Sequence, residues 1–170
     1  MSDISQHSET LALHAGSHRR DPATNSVAVP IYQTTSYQFD NTEHASKLFA
    51  LQELGNIYTR IMNPTTQVLE ERLSAIEGGL AALGVSSGSS AVALAIQNVA
   101  SSGDNIVASP HLYGGTYNLF TNTLRQMGIE VRFARPASSE NFADLSDERS
   151  RAYFGETLPS PRLVPCPIAV

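Results

Sequence analysis

The chain is poor in cysteine, lysine and tryptophan, and two of these shortages limit what it can be. Its 170 residues include one cysteine, Cys166, one lysine, Lys47, and no tryptophan. One cysteine cannot build an internal disulfide framework, and the polar residues 2–7 lack the charged and apolar parts of a secretory signal peptide. We therefore expect a cytoplasmic protein. The single lysine restricts any chemistry that needs a side-chain amine to Lys47.

Positive charge and long apolar runs are also scarce. Eleven Lys and Arg oppose 16 Asp and Glu, which gives a formal net charge of −5 at pH 7, and the basic residues form no cluster. This balance argues against nucleic acid or an anionic membrane as a partner. No apolar run approaches the ~20 residues needed to span a bilayer. A small molecule or another protein is the expected partner.

The apolar patterns predict an α/β protein. With 41% hydrophobic residues, the chain can build one core that buries roughly 70% of the surface exposed on unfolding. Residues 1–55 are interrupted by prolines and are predicted to form an extended arm, in which only residues 42–54 have helical periodicity. From residue 56 to 170 we expect the first part of a larger domain with a mainly parallel sheet and helices on both faces. Its predicted strands are 80–85, 105–108, 130–134 and 151–154, and its predicted helices are 64–77, 91–100 and 116–127.

The segment 58–66, YTRIMNPTT, is the most informative one. Asn63 can cap the helix that follows, and Pro64 suits its first position. Tyr58 and Arg60 then lie on an extended strip, where two residues with this spacing face the same side. A phenol and a guanidinium together suit a phosphate dianion. The alternative is an ordinary edge strand with a surface arginine.

Residues 86–90, SSGSS, are a second candidate anion site. They lie between a predicted buried strand and a predicted helix, where the free amides at the helix start attract anions. Glycine lets the backbone approach a ligand closely. A serine-rich helix cap explains the same residues equally well, and only the pairing with Tyr58 and Arg60 favours a phosphate cup.

Tyr113 follows the predicted strand 105–108 and so lies at the edge of the sheet where α/β proteins bind ligands. Gly114 and Gly115 would let its ring lie over a planar ligand, although a lone tyrosine is usually a core or surface residue.

The histidines lack metal-ligand spacing, so no metal is predicted. Cys166 lies between two prolines without a nearby cation to activate its thiol.

Together these segments resemble the pyridoxal-phosphate enzymes of cysteine and methionine metabolism. The resemblance extends from His14 onward, and residues 58–66 match the Tyr-[Ser/Thr]-Arg-x-x-Asn-Pro-Thr motif of that family. It implies a fold-type I large domain of three αβα layers, here incomplete, with pyridoxal phosphate as cofactor. It also implies a homo-oligomer whose active site is shared between subunits.

The resemblance implies a role for each candidate residue. Tyr58 and Arg60 would hold the cofactor phosphate of the neighbouring subunit. Gly88 and Ser89 would supply amides to the phosphate within the same subunit. Tyr113 would stack on the pyridine ring and assist proton handling, as the catalytic residue of this set.

Two positions depart from the family pattern. Ser160 precedes Pro161 where related enzymes usually have asparagine, and its shorter hydroxyl would make a weak or water-bridged contact with the cofactor. The lysine that binds the cofactor covalently and the carboxylate at the pyridine nitrogen are expected beyond residue 170. Lys47 cannot replace that lysine, because it lies on the predicted helix before Tyr58. We therefore expect an N-terminal portion of a longer enzyme, inactive alone.

Within the family, residues 25–37 and 54–65 look closer to O-acetylhomoserine sulfhydrylases than to lyases. The implied reaction is γ-replacement, in which acetate leaves O-acetylhomoserine and sulfide or a thiol adds to give homocysteine or methionine. A fragment of a cystathionine γ-synthase, a γ-lyase or methionine γ-lyase remains an alternative. A non-catalytic interaction fragment is another.

Overall fold

The computed structural model describes residues 7–16, 21, 23–135 and 137–166. The described residues fall into two compact units, one within residues 1–84 and the other within residues 85–170. The predicted boundary between an arm and a larger domain at residue 55 stays a prediction.

The first unit contains three helices, α1 (Ser8–His14), α2 (Thr42–Phe49) and α3 (Pro64–Glu77). Helix α1, which the sequence did not predict, packs against α3, and Arg72 Nε donates to the Ala15 carbonyl at 3.0 Å. Gly16 permits this approach, because it has a φ of +75° and a Cβ there would lie 2.7 Å from the Val68 carbonyl oxygen. The region predicted as an arm is therefore extended only in part.

Helix α3 begins and ends as the sequence predicts. Asn63 caps its first turn, Pro64 occupies its first position, and Gly78 ends it with a φ of +66° in the left-handed region. Each residue meets a requirement of its position. Asn63 supplies a side-chain acceptor for a free amide of the first turn, and Pro64 has a fixed φ that suits a position where no N–H is needed. Gly78 can adopt the positive φ at which the helix ends.

The second unit is built on a parallel sheet. In chain order it contains α4 (Gly88–Val99), β1 (Asn105–Ala108), α5 (Gly114–Asn118), β2 (Glu130–Phe133), α6 (Ser139–Asp144) and β3 (Ser150–Phe154). Helix α5 continues directly into a π-helical segment, Leu119–Leu124. The strand order is β2-β1-β3, and both pairs are parallel. Three of the four predicted strands are present, and all their carboxyl ends meet at one edge.

The core of the second unit lies around the central strand, all four residues of which are buried. Phe120 and Leu124, from the π-helical segment, are fully buried against it, and the Phe120 ring meets Phe154 edge to face at 4.9 Å. The packed core therefore fixes the position of β1, at whose carboxyl end a ligand site is predicted.

The predicted strand at residues 80–85 is wrong. These residues are irregular, and Leu80 and Leu83 are exposed. An extended segment becomes a strand only when a neighbour pairs with its amides and carbonyls, and no described strand pairs with this one. Residues 80–85 thus have the apolar composition of a buried strand, but they lack a neighbouring strand with which to form hydrogen bonds.

A polar network closes the amino-terminal edge of the sheet. The side-chain amide of Asn105, which is 2% exposed, donates to Asp147 at 2.8 Å, and its oxygen accepts from the Ser150 hydroxyl at 2.6 Å. Arg132 donates to the second Asp147 oxygen at 2.8 Å. The hydrogen bond from Asn105 and the charge-assisted one from Arg132 hold the pKa of Asp147 well below its usual range.

Candidate functional site

In the first unit, Tyr58 and Arg60 come together, although not on an extended strip. Tyr58 forms an antiparallel bridge with Ser36, after which the chain turns, with the amides of Ile61 and Met62 both donating to the Tyr58 carbonyl at 2.9 and 3.0 Å. The expectation of extended chain is therefore wrong beyond Tyr58. The turn folds Arg60 back, and its guanidinium carbon lies 5.7 Å from the centre of the Tyr58 ring.

Asn63 fixes this turn as well as capping α3. Its Oδ1 accepts from the Thr65 amide at 2.9 Å, and its Nδ2 donates to the Tyr32 carbonyl at 2.9 Å and the Thr59 hydroxyl at 3.2 Å. The Thr65 hydroxyl donates to the Pro30 carbonyl at 3.1 Å and accepts from the Tyr32 amide at 2.9 Å. Because Asn63 is only 4% exposed, one buried amide ties the turn, the helix start and residues 30–32 together.

The two side chains on this turn are available to a ligand. Tyr58 is 42% exposed, Arg60 is also exposed, and Arg60 forms no ion pair with any described residue. A guanidinium with free donors beside a phenol hydroxyl can bind a phosphate or carboxylate.

In the second unit, residues 87–90 form the start of α4. Ser87 caps the helix, its Oγ accepting from the Ser90 amide at 3.1 Å, and the two hydroxyls lie 3.0 Å apart. Gly88 and Ser89 occupy the first exposed positions, where helix geometry leaves the amides without an intrahelical acceptor. A Cβ on Gly88 would meet no atom within 4 Å. The helix start therefore faces open space, as an anion cup requires.

Tyr113 lies beyond the carboxyl end of β1 and is 57% exposed. Its amide donates to both carboxylate oxygens of Glu156 at 3.0 Å. Its ring folds back over Gly115, where a Cβ would lie 2.6 Å from the ring carbon Cε1. A carboxylate from the loop after β3 thus anchors the backbone of Tyr113, and the lack of a side chain at residue 115 leaves room for its ring.

Glu156 is a site residue that the sequence reasoning missed. The available signal was its position two residues after a predicted strand, the same kind of position that drew attention to Tyr113. Its effect depends on β1 and β3 being neighbours in the sheet, and this order cannot be read from either segment alone.

An open cavity of about 630 Å3 lies at the same carboxyl edge. Ser160 borders it, together with His111, Tyr117, Arg135 and Arg162. Ser160 is exposed and makes no hydrogen bond with a described residue. Its hydroxyl is therefore free to meet a ligand, and its predicted contact with the cofactor stays a prediction.

The predicted site residues are thus divided between the two units. Tyr58 and Arg60 belong to the first, and the second holds Gly88, Ser89, Tyr113 and Ser160. Lys47 lies on α2 of the first unit, where its ammonium pairs with Glu43 at 2.8 Å.

The described part of the chain holds neither a metal centre nor a membrane-spanning helix. Its His, Cys, Asp and Glu side chains form no group that could hold a metal ion. No helix within it is long and apolar enough to cross a membrane.

Comparison with known proteins identifies relatives over almost the whole chain. O-acetyl-L-homoserine sulfhydrylase of Leptospira meyeri is 56% identical over 155 residues, which are 91% of this chain and 35% of that protein. O-acetyl-L-homoserine sulfhydrylase 1 of Thermus thermophilus is 56% identical over 156 residues, again 91% of this chain and 37% of that protein. The homocysteine/cysteine synthase of Saccharomyces cerevisiae is 51% identical over 157 residues, 92% of this chain and 35% of that protein.

Solved structures agree with these relatives. A protein from Campylobacter jejuni described as an O-acetylhomoserine (thiol)-lyase superposes with a TM-score of 0.86 at 42% identity, over 94% of this chain and 39% of that one. It carries pyridoxyl-lysine phosphate at its position 205. Cystathionine γ-lyase of Lactobacillus plantarum superposes with a TM-score of 0.78 at 25% identity, over 93% of this chain and 39% of that one. The predicted incomplete fold-type I α/β architecture is confirmed.

The chain spans about 35 to 37% of the length of these curated relatives. The model of the Cys/Met metabolism PLP-dependent enzymes matches residues 9–169. This match confirms both the predicted resemblance and the predicted cofactor class. The chain therefore belongs to the family of Cys/Met metabolism PLP-dependent enzymes.

Proposed function

We propose that this chain is the N-terminal, cofactor-holding portion of an O-acetylhomoserine sulfhydrylase. The observation that carries the proposal is the 56% identity with an O-acetyl-L-homoserine sulfhydrylase over 91% of the chain. The complete enzyme would replace the acetate of O-acetylhomoserine by sulfide or a thiol, in a step of methionine biosynthesis and cysteine metabolism. The cytoplasm is the proposed location, since a chain with a single cysteine has no internal disulfide framework of the kind common in secreted proteins.

The start of α4 fits the phosphate of pyridoxal phosphate. Gly88 and Ser89 would donate their free amides, and the open space at Gly88 lets an anion approach the backbone. The hydroxyls of Ser87 and Ser90 already bond to each other and to the first turn, so they would hold the cup in shape rather than contact the ligand. When bound, the cofactor would supply the electron sink that stabilises carbanions of the substrate.

Tyr113 would cover the pyridine ring and pass protons through its hydroxyl. Two features support this role: the Glu156 carboxylate anchors the backbone amide of Tyr113, and Gly115 leaves room for the ring in its observed position. Ser160 would lie at the phenolic oxygen of the cofactor. Its single hydroxyl offers one donor where an asparagine amide would offer two.

Tyr58 and Arg60 would bind the cofactor phosphate of a second subunit, so that the active site requires at least a homodimer. Three properties of the turn support this role: Arg60 is exposed, forms no ion pair with a described residue, and is held beside Tyr58 by the contacts of Asn63. A cation kept in place without a partner of its own suits an anion supplied by another chain.

Lys47 does not fit the role of the covalent lysine. It is the only lysine of the sequence, it pairs with Glu43 one helical turn away, and it lies in a different unit from Tyr113. The proposal therefore assigns the covalent step to a lysine outside these 170 residues and predicts that the chain alone is inactive.

Two chimeric enzymes test the proposal. In one, this chain replaces the matching segment of the Leptospira meyeri sulfhydrylase, and in the other it replaces the matching segment of the Lactobacillus plantarum cystathionine γ-lyase. Each is assayed for bound pyridoxal phosphate, for homocysteine formed from O-acetylhomoserine and sulfide, and for cleavage of cystathionine. The parent enzymes carried through the same purification are the controls.

We expect the sulfhydrylase chimera to retain cofactor and form homocysteine, and the lyase chimera to be impaired in both. A lyase chimera that binds cofactor and cleaves cystathionine, beside an inactive sulfhydrylase chimera, would favour the γ-lyase alternative. Two folded chimeras without cofactor would favour the non-catalytic alternative.

A further inference from the structure

The open cavity at the carboxyl edge of the sheet has a charge unlike that of the chain as a whole. The chain carries a net charge of −5, yet among the described residues that line this cavity the charged side chains are Arg135 and Arg162. No carboxylate of a described residue lines it. With about 630 Å3, it has the size of a pocket for a small molecule.

Arg135 is held in position by aromatic neighbours. Its Nη2 donates to the Tyr117 hydroxyl at 3.2 Å, and its guanidinium carbon lies 5.9 Å from the centre of the Phe133 ring. Tyr117 in turn stacks on Phe133 at 4.9 Å with an angle of 26°. A guanidinium has five N–H donors, so one hydrogen bond to tyrosine orients Arg135 and leaves most of its donors for a ligand.

Arg162 is available in a different way. It forms neither a hydrogen bond nor an ion pair with any residue that the structure describes. Two arginines on the strands are not in this state, since Arg132 pairs with Glu130 and Asp147, and Arg151 pairs with Asp104. The pocket thus combines one braced guanidinium with one unpaired guanidinium.

We propose that the pocket between Arg135 and Arg162 binds a small-molecule oxyanion, either a phosphate or a carboxylate. Both groups match the planar donor fork of arginine, and the described lining holds no carboxylate that would repel them. The Tyr117 hydroxyl supplies a further polar contact on the wall. This site is separate from the proposed phosphate cup, because Gly88 and Ser89 do not line the pocket.

The test uses the isotope-labelled 170-residue chain and two probes, inorganic phosphate and succinate, followed by amide chemical shifts. We expect saturable binding of at least one probe, with a dissociation constant on the order of 1 mM or tighter, as two or three charge-assisted hydrogen bonds would give. The shifts should concentrate in residues 111–118 and 159–162. Phosphate and succinate titrated separately show which oxyanion the pocket prefers.

Three variants locate the binding. Arg162→Gln should weaken the probe about tenfold, the effect of losing one charged donor, and Arg135→Gln should have an effect of the same order. Arg149→Gln, which removes the same charge just before β3 at the opposite edge, is the matched control and should change the affinity less than about twofold, the scale of a distant surface charge.

Gly88→Glu separates this pocket from the cup, because it places a carboxylate at the start of α4 without a clash. It should leave the Arg162-dependent binding intact. The proposal is overturned if neither probe saturates, or if Gly88→Glu abolishes the binding while Arg162→Gln does not affect it. Because Arg162 is exposed and forms no hydrogen bond or ion pair with a described residue, its variant decides the question even if Arg135→Gln is unstable. The cofactor assignment does not depend on either result.

Discussion

The two edges of the sheet in the second unit are built in opposite ways. At the amino-terminal edge, Asn105, Asp147, Arg132 and Ser150 bond one another at 2.6 to 2.8 Å. At the carboxyl edge, the side chains of Tyr113 and Ser160 are exposed, and Ser160 has no bonded partner among the described residues. Polar groups that already bond one another stabilise a fold, whereas exposed donors without partners are those that a ligand can use.

This difference has a physical origin. A tight turn closes the amino edge, in which the Ser150 amide donates to the Asp147 carbonyl at 3.0 Å, whereas residues 155–166, which leave the carboxyl end of β3, form no helix or strand. Asp147 satisfies its neighbours through side chain and backbone together, accepting also from the Arg149 amide at 2.9 Å. At the carboxyl edge, the loops after β1 and β3 are joined by individual contacts, such as the hydrogen bonds from the Tyr113 amide to the Glu156 carboxylate.

The largest expected effect on stability is at the amino edge. Asn105→Ala removes a buried amide that bonds both Asp147 and Ser150, and the loss of these two hydrogen bonds should lower the free energy of unfolding by about 1–3 kcal/mol. Urea denaturation of the variant and the parent chain measures this loss. An unchanged midpoint would mean that the network does not stabilise the fold.

The pH dependence of stability tests the same network of Asn105, Asp147 and Arg132. Because the hydrogen bond from Asn105 and the one from Arg132 lower the pKa of Asp147 below its ordinary value of 3.8, the ionised form favours the folded state. This stabilisation is fully present above the ordinary pKa and is lost as the pH falls below it through the pKa of the folded state.

The urea midpoint should therefore decline below about pH 4 more steeply in the parent chain than in Asp147→Asn, which keeps an acceptor oxygen but cannot titrate. Parallel declines in the two proteins would assign the acid sensitivity to other carboxylates. Asp104 is one of these, since its pKa is lowered by the Ser101 amide and by Arg151.

At the carboxyl edge, Gly115→Ala should change the site more than the stability. The added Cβ would lie 2.6 Å from the Tyr113 ring, so the exposed ring must rotate away, at a cost below about 1 kcal/mol for a side chain free to move into solvent. The aromatic proton shifts of Tyr113 report the rotation, and Gly114→Ala, where a Cβ meets nothing within 4 Å, is the control. Equal shifts in both variants would contradict the role given to Gly115.

The smallest expected effect comes from Arg162→Ala. Since Arg162 has no partner among the described residues, its removal should change the free energy of unfolding by no more than about 0.5 kcal/mol, as for other surface positions. Urea denaturation beside Asn105→Ala compares the two edges directly. A loss as large as that of Asn105→Ala would end the distinction between them.

The sequence predicted those features that depend on local chemistry. The cap at Asn63, the stop at Gly78 and three apolar strands follow from rules that act within a few residues. The short helices α1 and α6 were missed, because six or seven residues give too little periodicity to detect. Ser138, which caps α6 by accepting from the Asn141 amide at 3.3 Å, is a signal that could have been used.

Features that depend on neighbours in space were not predicted. Residues 80–85 have the composition of a strand but no described partner, and the folding of Arg60 over Tyr58 comes from a turn rather than from extended chain. Arg135 and Arg162 are 27 positions apart in the sequence and line one cavity only because their loops leave the same sheet edge. The family motif identified the candidate residues, and the fold determined which of them meet.

Subunit mixing in the active chimera tests the central claim, that this chain holds the cofactor of a second subunit. One chimera carries Arg60→Ala, and the other keeps Arg60 but lacks the covalent lysine of the host portion. Each alone should be inactive or retain cofactor about 10- to 100-fold less well, as expected for the loss of a charge-assisted contact of about 1.5–3 kcal/mol. We predict that mixing the two restores homocysteine formation, because a mixed dimer pairs an intact Arg60 with an intact lysine. If mixed dimers form and no activity returns, Arg60 does not act across the subunit interface and the account is wrong.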